Sequence, residues 1–149
     1  MNGSATRLRL QIAPERSALE PTRLTVLAFL APHALSARAV YAIELVLEEV
    51  LSNQFKYAFA GAEGVEGVAA GAAEPVGLSV NVTANRIELL FEDRGMAFDP
   101  LQAPAPPSAR SIEEARVGGL GLSLVRQYTH LAHYERRDGG NRLTLVILR

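Results

Sequence analysis

The run Gly77–Asp93, GLSVNVTANRIELLFED, decides the architecture. It contains two stretches of alternating apolar and polar residues, GLSVNVTAN and RIELLFED, divided at Ala84–Arg86. Period-two alternation puts successive side chains on opposite faces, so each stretch reads as a strand with one buried face, and the short break between them predicts a β-hairpin. Outward from it, RLRLQIA (Arg7–Ala13) alternates in the same way and predicts a first strand. HYERRDGGNRLTLVIL (His133–Leu148) predicts a closing hairpin that turns at Asp138–Asn141. Apolar residues at helical spacing predict a helix from Glu15 to about Leu30, with Pro21 tolerated in its first turn after Glu20. Ser36 is a candidate N-cap for the longest helix, which runs to Phe59 without glycine or proline. A third helix opens on glycines in GGLGLSLVRQYTHLA, Gly118–Ala132.

The predicted order is strand, helix, helix, strand, strand, helix, strand, strand. Strands come in adjacent hairpins rather than alternating with helices. This favours an α/β two-layer sandwich, a mixed and mainly antiparallel sheet covered on one face by helices. Two stretches lack periodicity. Ala60–Pro75 is rich in glycine and alanine and reads as a flexible connector. Pro100–Val117 is proline-rich and too long for an ordinary connection, so it is either a lid or disordered.

A chain of 149 residues and 16.0 kDa is one domain by length, able to bury a core without staples. A formal charge of -1 and a pI near 6.3 give no basic field for a phosphate backbone, which argues against direct nucleic-acid binding. With no cysteine there is neither a disulfide framework nor a thiol nucleophile, in keeping with a reducing cytoplasm. The N-terminal MNGSATRLRLQIAPE lacks an apolar export core, and no segment reaches the roughly 20 apolar residues of a membrane helix. The expectation is a cytoplasmic protein without membrane contact.

Three blocks carry chemistry. In LEEVLSNQFKYA (Leu47–Ala58), helical spacing puts Glu49, Asn53, Lys56 and Tyr57 on one stripe, while Leu47, Val50, Leu51 and Phe55 lie mostly off it and suit the core. Taken alone, that stripe also reads as a solvated helix face. EDRGMAFDP (Glu92–Pro100) places Asp93 directly after an apolar strand, with Gly95 two residues on. Either Asp93 is a carboxylate aimed into a pocket, or Asp93 and Asp99 cap backbone amides in Asx-type turns. GGLGLSLV (Gly118–Val125) leads glycines into a helix, where bare N–H groups and the positive helix end can hold phosphate oxygens; the alternative is a tight-packing turn. It matches neither GxxxxGK[ST] nor a correctly placed GxGxxG. His33, His130 and His133 lack metal-ligand spacing.

In this order, with the long loop between the second and third, the blocks resemble the N-box, G1-box and G2-box of the GHKL ATPase superfamily, whose domain is the Bergerat or histidine-kinase-like ATPase fold. More closely they are similar to the stand-alone bacterial anti-sigma-factor serine/threonine kinases, as is the YERRDGGNRLTLV ending. The resemblance implies a protein serine/threonine kinase using ATP and Mg²⁺. It implies Glu49 as general base on the attacking hydroxyl, Glu48 being the weaker candidate, and Asn53 as Mg²⁺ ligand. Asp93 would accept the adenine amino hydrogen and Gly95 would leave room for the ring. The backbone of Gly118, Gly119, Leu120, Gly121 and Leu122 would cradle the phosphates, with Arg116 and Lys56 reaching toward them. Implied partners are a sigma factor, held by a homodimer, and a STAS-type antagonist that the kinase phosphorylates. Tyr57, Val50, Gln54 and Ala97 depart from the usual pattern without removing a ligand. No phosphoacceptor-histidine helix precedes the domain, so the expectation is not an intact sensor histidine kinase, with a severed catalytic domain as the alternative. A module that binds ATP and sequesters a partner without phosphoryl transfer, or a switch kinase acting on a stress-signalling complex, would share these residues.

Overall fold

A computed structural model describes residues 6–62, 74–102 and 120–149. Its elements are strand β1 (Thr6–Ile12), helix α1 (Leu19–Leu30), helix α2 (Ala37–Ala62), strands β2 (Val76–Val82) and β3 (Arg86–Asp93), helix α3 (Leu120–Tyr128), and strands β4 (Leu131–Arg137) and β5 (Gly140–Leu148). The five strands form one sheet in the order β1-β2-β3-β5-β4, and every pairing is antiparallel. The helices lie against one face, giving the expected two-layer sandwich.

Alternation in the sequence becomes a continuous apolar surface through the register. Ile12, Leu10 and Leu8 of β1 stand opposite Val76, Leu78 and Val80 of β2. Leu78, Val80 and Val82 in turn face Phe91, Leu89 and Ile87 of β3. Phe91, Leu89 and Ile87 then face Leu143, Leu145 and Ile147 of β5. All of these except Leu8 and Leu10 are buried, and both of those pack against the core. Onto this surface α2 presents Ile43, Val46, Leu47, Val50 and Leu51, none more than 2% exposed. Their spacing is the apolar stripe of an amphipathic helix, and each such side chain contributes about 1.5–3 kcal/mol by leaving water.

Local chemistry sets the element ends. The Ser36 hydroxyl accepts the Ala39 N–H at 3.1 Å and caps α2 as expected. Pro21 falls in the first turn of α1, where its missing N–H breaks no helical bond. Arg23 pairs with Glu20 and with Glu44 at 2.7 Å each, joining α1 to α2. The β4–β5 turn is tight: Asp138 and Gly139 have φ of 51° and 77°, the two positive values of a type I′ hairpin.

Two boundaries differ from the sequence reading. Helix α2 continues through Gly61 to Ala62, into the stretch read as connector; residues 63–73 of that stretch lie outside the described residues. Helix α3 stops at Tyr128 rather than Ala132, because the Thr129 hydroxyl also takes the Val125 carbonyl and the His130 N–H leaves the helix to bond the Val146 carbonyl. The chain thus enters the sheet at Leu131, and His133 is a strand residue. Of the proposed lid, Pro100–Gln102 form a short 3₁₀ turn, and 103–117 lie outside the described residues.

Candidate functional site

The apolar rungs between β3 and β5 end in a polar one. Asp93 stands opposite Asn141, one step beyond Phe91 and Leu143 and on the same face. Its carboxylate is therefore pointed at the helix layer by the alternation that buries Phe91. Here α2 runs overhead, and a cleft opens between the two layers. Its walls are Val50, Asn53 and Gln54 from α2, Asp93 from β3, Met96 and Phe98 from the following loop, and Tyr134, Asn141 and Leu143 from the last hairpin.

The two oxygens of Asp93 have different duties. Oδ1 accepts the Gly95 N–H at 2.9 Å and the Asn141 Nδ2–H at 2.8 Å. The first contact is the Asx turn anticipated as the alternative reading of this residue. Asp99 makes a similar turn with the Leu101 N–H at 2.9 Å. Oδ2 accepts the Gln54 Nε2–H at 2.9 Å, and both side chains line the cleft. A Cβ on Gly95 would stand 3.1 Å from Asp93 Oδ1, tight enough that the carboxylate would have to give by a few tenths of an ångström.

Asn141 holds this end of the sheet together. It is 7% exposed, and its Nδ2 donates to Asp93 and, at 2.8 Å, to the Met96 carbonyl. Its Oδ1 accepts from the Tyr134 hydroxyl, from Arg136 at 3.2 Å and from the Phe98 N–H at 3.3 Å. Arg136 also donates to the Gly95 carbonyl at 2.8 Å. One buried amide thus fixes the carboxylate and the loop that forms the cleft's outer wall. Gly140 lets the strands close, since a Cβ there would come within 2.9 Å of the Asp93 carbonyl.

On α2 the Asn53 Nδ2–H donates to the Glu49 carbonyl at 2.8 Å. This fixes the amide orientation: the nitrogen is engaged and Oδ1 is the end left to act as an acceptor or a cation ligand. Such a ligand suits Mg²⁺ that arrives with a phosphate chain, and among the described residues no cluster of histidine, aspartate or glutamate could hold a metal by itself. Glu49 is half-buried one turn before Asn53, and Lys56 is exposed; neither lines the cleft. Gln54 lines it, and its Oε1 is buried without a hydrogen-bond partner among the described residues. An orphaned acceptor of this kind costs about 1–3 kcal/mol.

The structure therefore brings Asn53, Asp93 and Gly95 to one cleft and sets Glu49 beside it. Arg116, Gly118 and Gly119 lie outside the described residues. Leu120, Gly121 and Leu122 form the first turn of α3, whose N–H groups have no acceptor within the helix. Helix α3 packs against α2. The sequence reading missed Asn141 and Tyr134 as site residues and took Gln54 only as a departure. Asn141 was assigned to the turn; counting back by twos from Ile147, Leu145 and Leu143 would have put it on the core face.

Comparisons with known proteins show a family for the chain. The family described as "Histidine kinase-like ATPase domain" matches residues 12–147. The chain is 38% identical over 111 residues to the serine/threonine-protein kinase BtrW of Bordetella bronchiseptica, covering 74% of this chain and 72% of that one. Its fold is similar to that of the RsbU and RsbW domains of a Mycobacterium tuberculosis protein, with a TM-score of 0.64 at 14% identity, covering 97% of this chain and 33% of that one. It is also similar to the SiaB–SiaC complex of Pseudomonas aeruginosa, with a TM-score of 0.59 at 17% identity, covering 95% and 89%. Among the described residues no helix is long and apolar enough to cross a membrane.

Proposed function

Because the chain belongs to the histidine kinase-like ATPase domain family, we propose that it is a Mg²⁺-ATP-dependent serine/threonine protein kinase of the anti-sigma type, a single domain closed by a lid over 100–117. It would hold a sigma factor, as a cytoplasmic homodimer, and phosphorylate a serine of a STAS-type antagonist. The observation that carries the nucleotide part is Asp93, held by Asn141 and Gly95 through one oxygen and presenting the other to the cleft beside Asn53. The identity to a serine/threonine kinase over three quarters of the chain supports the kinase part.

Each residue then has a task. Asp93 Oδ2 accepts from the exocyclic amino group of the base, and Gly95 keeps the adjoining wall free of a side chain. Asn53 Oδ1 ligates the cation that accompanies the triphosphate. Backbone amides from Gly118 through Leu122 hold phosphate oxygens, with Lys56 and Arg116 adding positive charge. Bound ATP supplies the transferable phosphoryl group. The serine oxygen bonds to the γ-phosphorus as the bond to ADP breaks, and Glu49 takes the hydroxyl proton.

Labelled ATP, Mg²⁺ and a candidate antagonist test this. Label is expected on the antagonist's serine, and Glu49→Ala is expected to abolish transfer while ATP still binds. Undiminished labelling by that variant would remove Glu49 from its role. ATP uptake by the wild type with no transfer to any antagonist would leave a nucleotide-gated sequestering module.

A further inference from the structure

We infer that Gln54 is a specificity residue for the base: with Asp93 it forms a pair of acceptors that takes both hydrogens of one exocyclic amino group. The inference rests on the nucleotide-binding reading above and names the group on the base that this site tests.

Gln54 shares the cleft with Asp93 and donates through Nε2 to Asp93 Oδ2 at 2.9 Å. The orientation of its amide is fixed by chemistry, because a carboxylate only accepts and must be met by the NH₂ end. Oε1 is thereby left buried with no partner among the described residues. Asp93 Oδ1 is already engaged by the Gly95 N–H and by Asn141. Between these two side chains the remaining accepting capacity is thus one lone pair on Asp93 Oδ2 and the carbonyl oxygen of Gln54. A buried acceptor without a donor is uncommon in folded proteins and calls for a reason. A ligand donor supplies one.

Two acceptors on side chains that are hydrogen-bonded to each other match an atom bearing two hydrogens. The amino group at C6 of adenine is such an atom, whereas guanine carries an acceptor oxygen there and would meet oxygen with oxygen. Asn53 and Gln54 are consecutive on α2, so their side chains diverge by about 100° around the helix axis. Adjacent residues can then serve the two ends of one nucleotide, the cation and the base.

Calorimetric titration of the full chain with Mg-ATP and with its N6-monomethyl analogue tests the pair, since the analogue carries one hydrogen where ATP carries two. Gln54→Met keeps side-chain length and bulk but lacks the carbonyl, so the added methyl meets similar crowding in both proteins. The wild type is expected to favour ATP over the analogue by about threefold to tenfold, the net worth of one hydrogen bond. Gln54→Met is expected to bring that ratio close to one. A side chain that merely steadied Asp93 would weaken both ligands together and leave the ratio unmoved, and equal ratios in the two proteins overturn the inference. Gln54→Leu supplies the same ratio should circular dichroism show the methionine variant unfolded. If the wild type takes up neither nucleotide, the nucleotide reading falls and this inference with it. If Asp93→Asn loses ATP while Gln54→Met keeps the wild-type ratio, only the role of Gln54 is removed.

Discussion

Replacing Asn141 by leucine keeps the side chain's size and deletes its polarity at a position that is 7% exposed. Two short bonds are lost, to the Asp93 carboxylate and the Met96 carbonyl, both at 2.8 Å, together with the acceptor for the Tyr134 hydroxyl. The contacts from Arg136 at 3.2 Å and the Phe98 N–H at 3.3 Å are longer and count for less. A bond to a charged group contributes about 1.5–3 kcal/mol and a neutral one about 1 kcal/mol, while leucine beside Leu143 recovers roughly 1 kcal/mol of apolar burial. The expected net loss is about 3 kcal/mol. In a domain of this size each kcal/mol moves the melting temperature by roughly 2–4 °C, so Asn141→Leu should melt about 6–12 °C below the wild type by circular dichroism. Its urea midpoint should fall without a change in slope, because the same surface is exposed on unfolding. ATP affinity should fall too, since Asp93 loses one of the bonds that aim it. A variant melting within about 1 °C of the wild type would refute the idea that this amide ties the strands and the loop together.

Asp93→Asn should separate stability from binding. The new amide oxygen can keep the Gly95 and Asn141 bonds, and Gln54 can rotate to give its orphaned Oε1 to the new NH₂. Thermal stability should therefore stay near the wild type while ATP affinity by calorimetry drops roughly 10- to 100-fold, because a donor replaces the acceptor that meets the base. Gly140→Ala should lower the melting temperature by several degrees, its Cβ being forced to within 2.9 Å of the Asp93 carbonyl, with backbone rather than a flexible side chain as the obstacle. The Arg23 hydrogen bond holds the Glu20 carboxyl below its ordinary range. A lowered carboxylate contributes above its unfolded pKa and loses that contribution as pH falls through its folded one, so any stability gap between wild type and Glu20→Gln should be present at neutral pH and close under acid, and a gap that widened in acid would contradict the assignment.

The fold was legible because its strands obey the period of two almost without fault. Ile87, Leu89 and Phe91 on one side and Leu143, Leu145 and Ile147 on the other define the buried face before any coordinates are known. Asp93 was legible for the same reason, as an acid where the next apolar rung should stand. Asn141 was not, since its importance depends on register between strands some fifty residues apart, which no local pattern states. The true turn residues, Asp138 and Gly139, are followed by Gly140 and Asn141, so the break seemed longer than it is. Gln54 was visible but mute: that it meets Asp93 follows from the packing of α2 over the sheet end, not from its neighbours in sequence. The helix ends at Tyr128 and Ala62 moved because the tertiary hydrogen bond from the His130 N–H to the Val146 carbonyl and alanine's high helix propensity outweighed the patterns used to place them.

The polar rung between Asp93 and Asn141 also bears on how the molecule reaches its native state. Each hairpin, β2–β3 and β4–β5, is local and can close early, but the rung exists only after β3 docks on β5 in the correct alignment. A slip by one residue would turn Asn141 away from the carboxylate and bring Arg142 or Gly140 opposite instead. Competence to take up a small molecule is thus acquired only with complete assembly, so a misaligned chain should be blind to it. Whatever fills the cleft must then favour the finished molecule by mass action, and refolding yield should rise with its concentration.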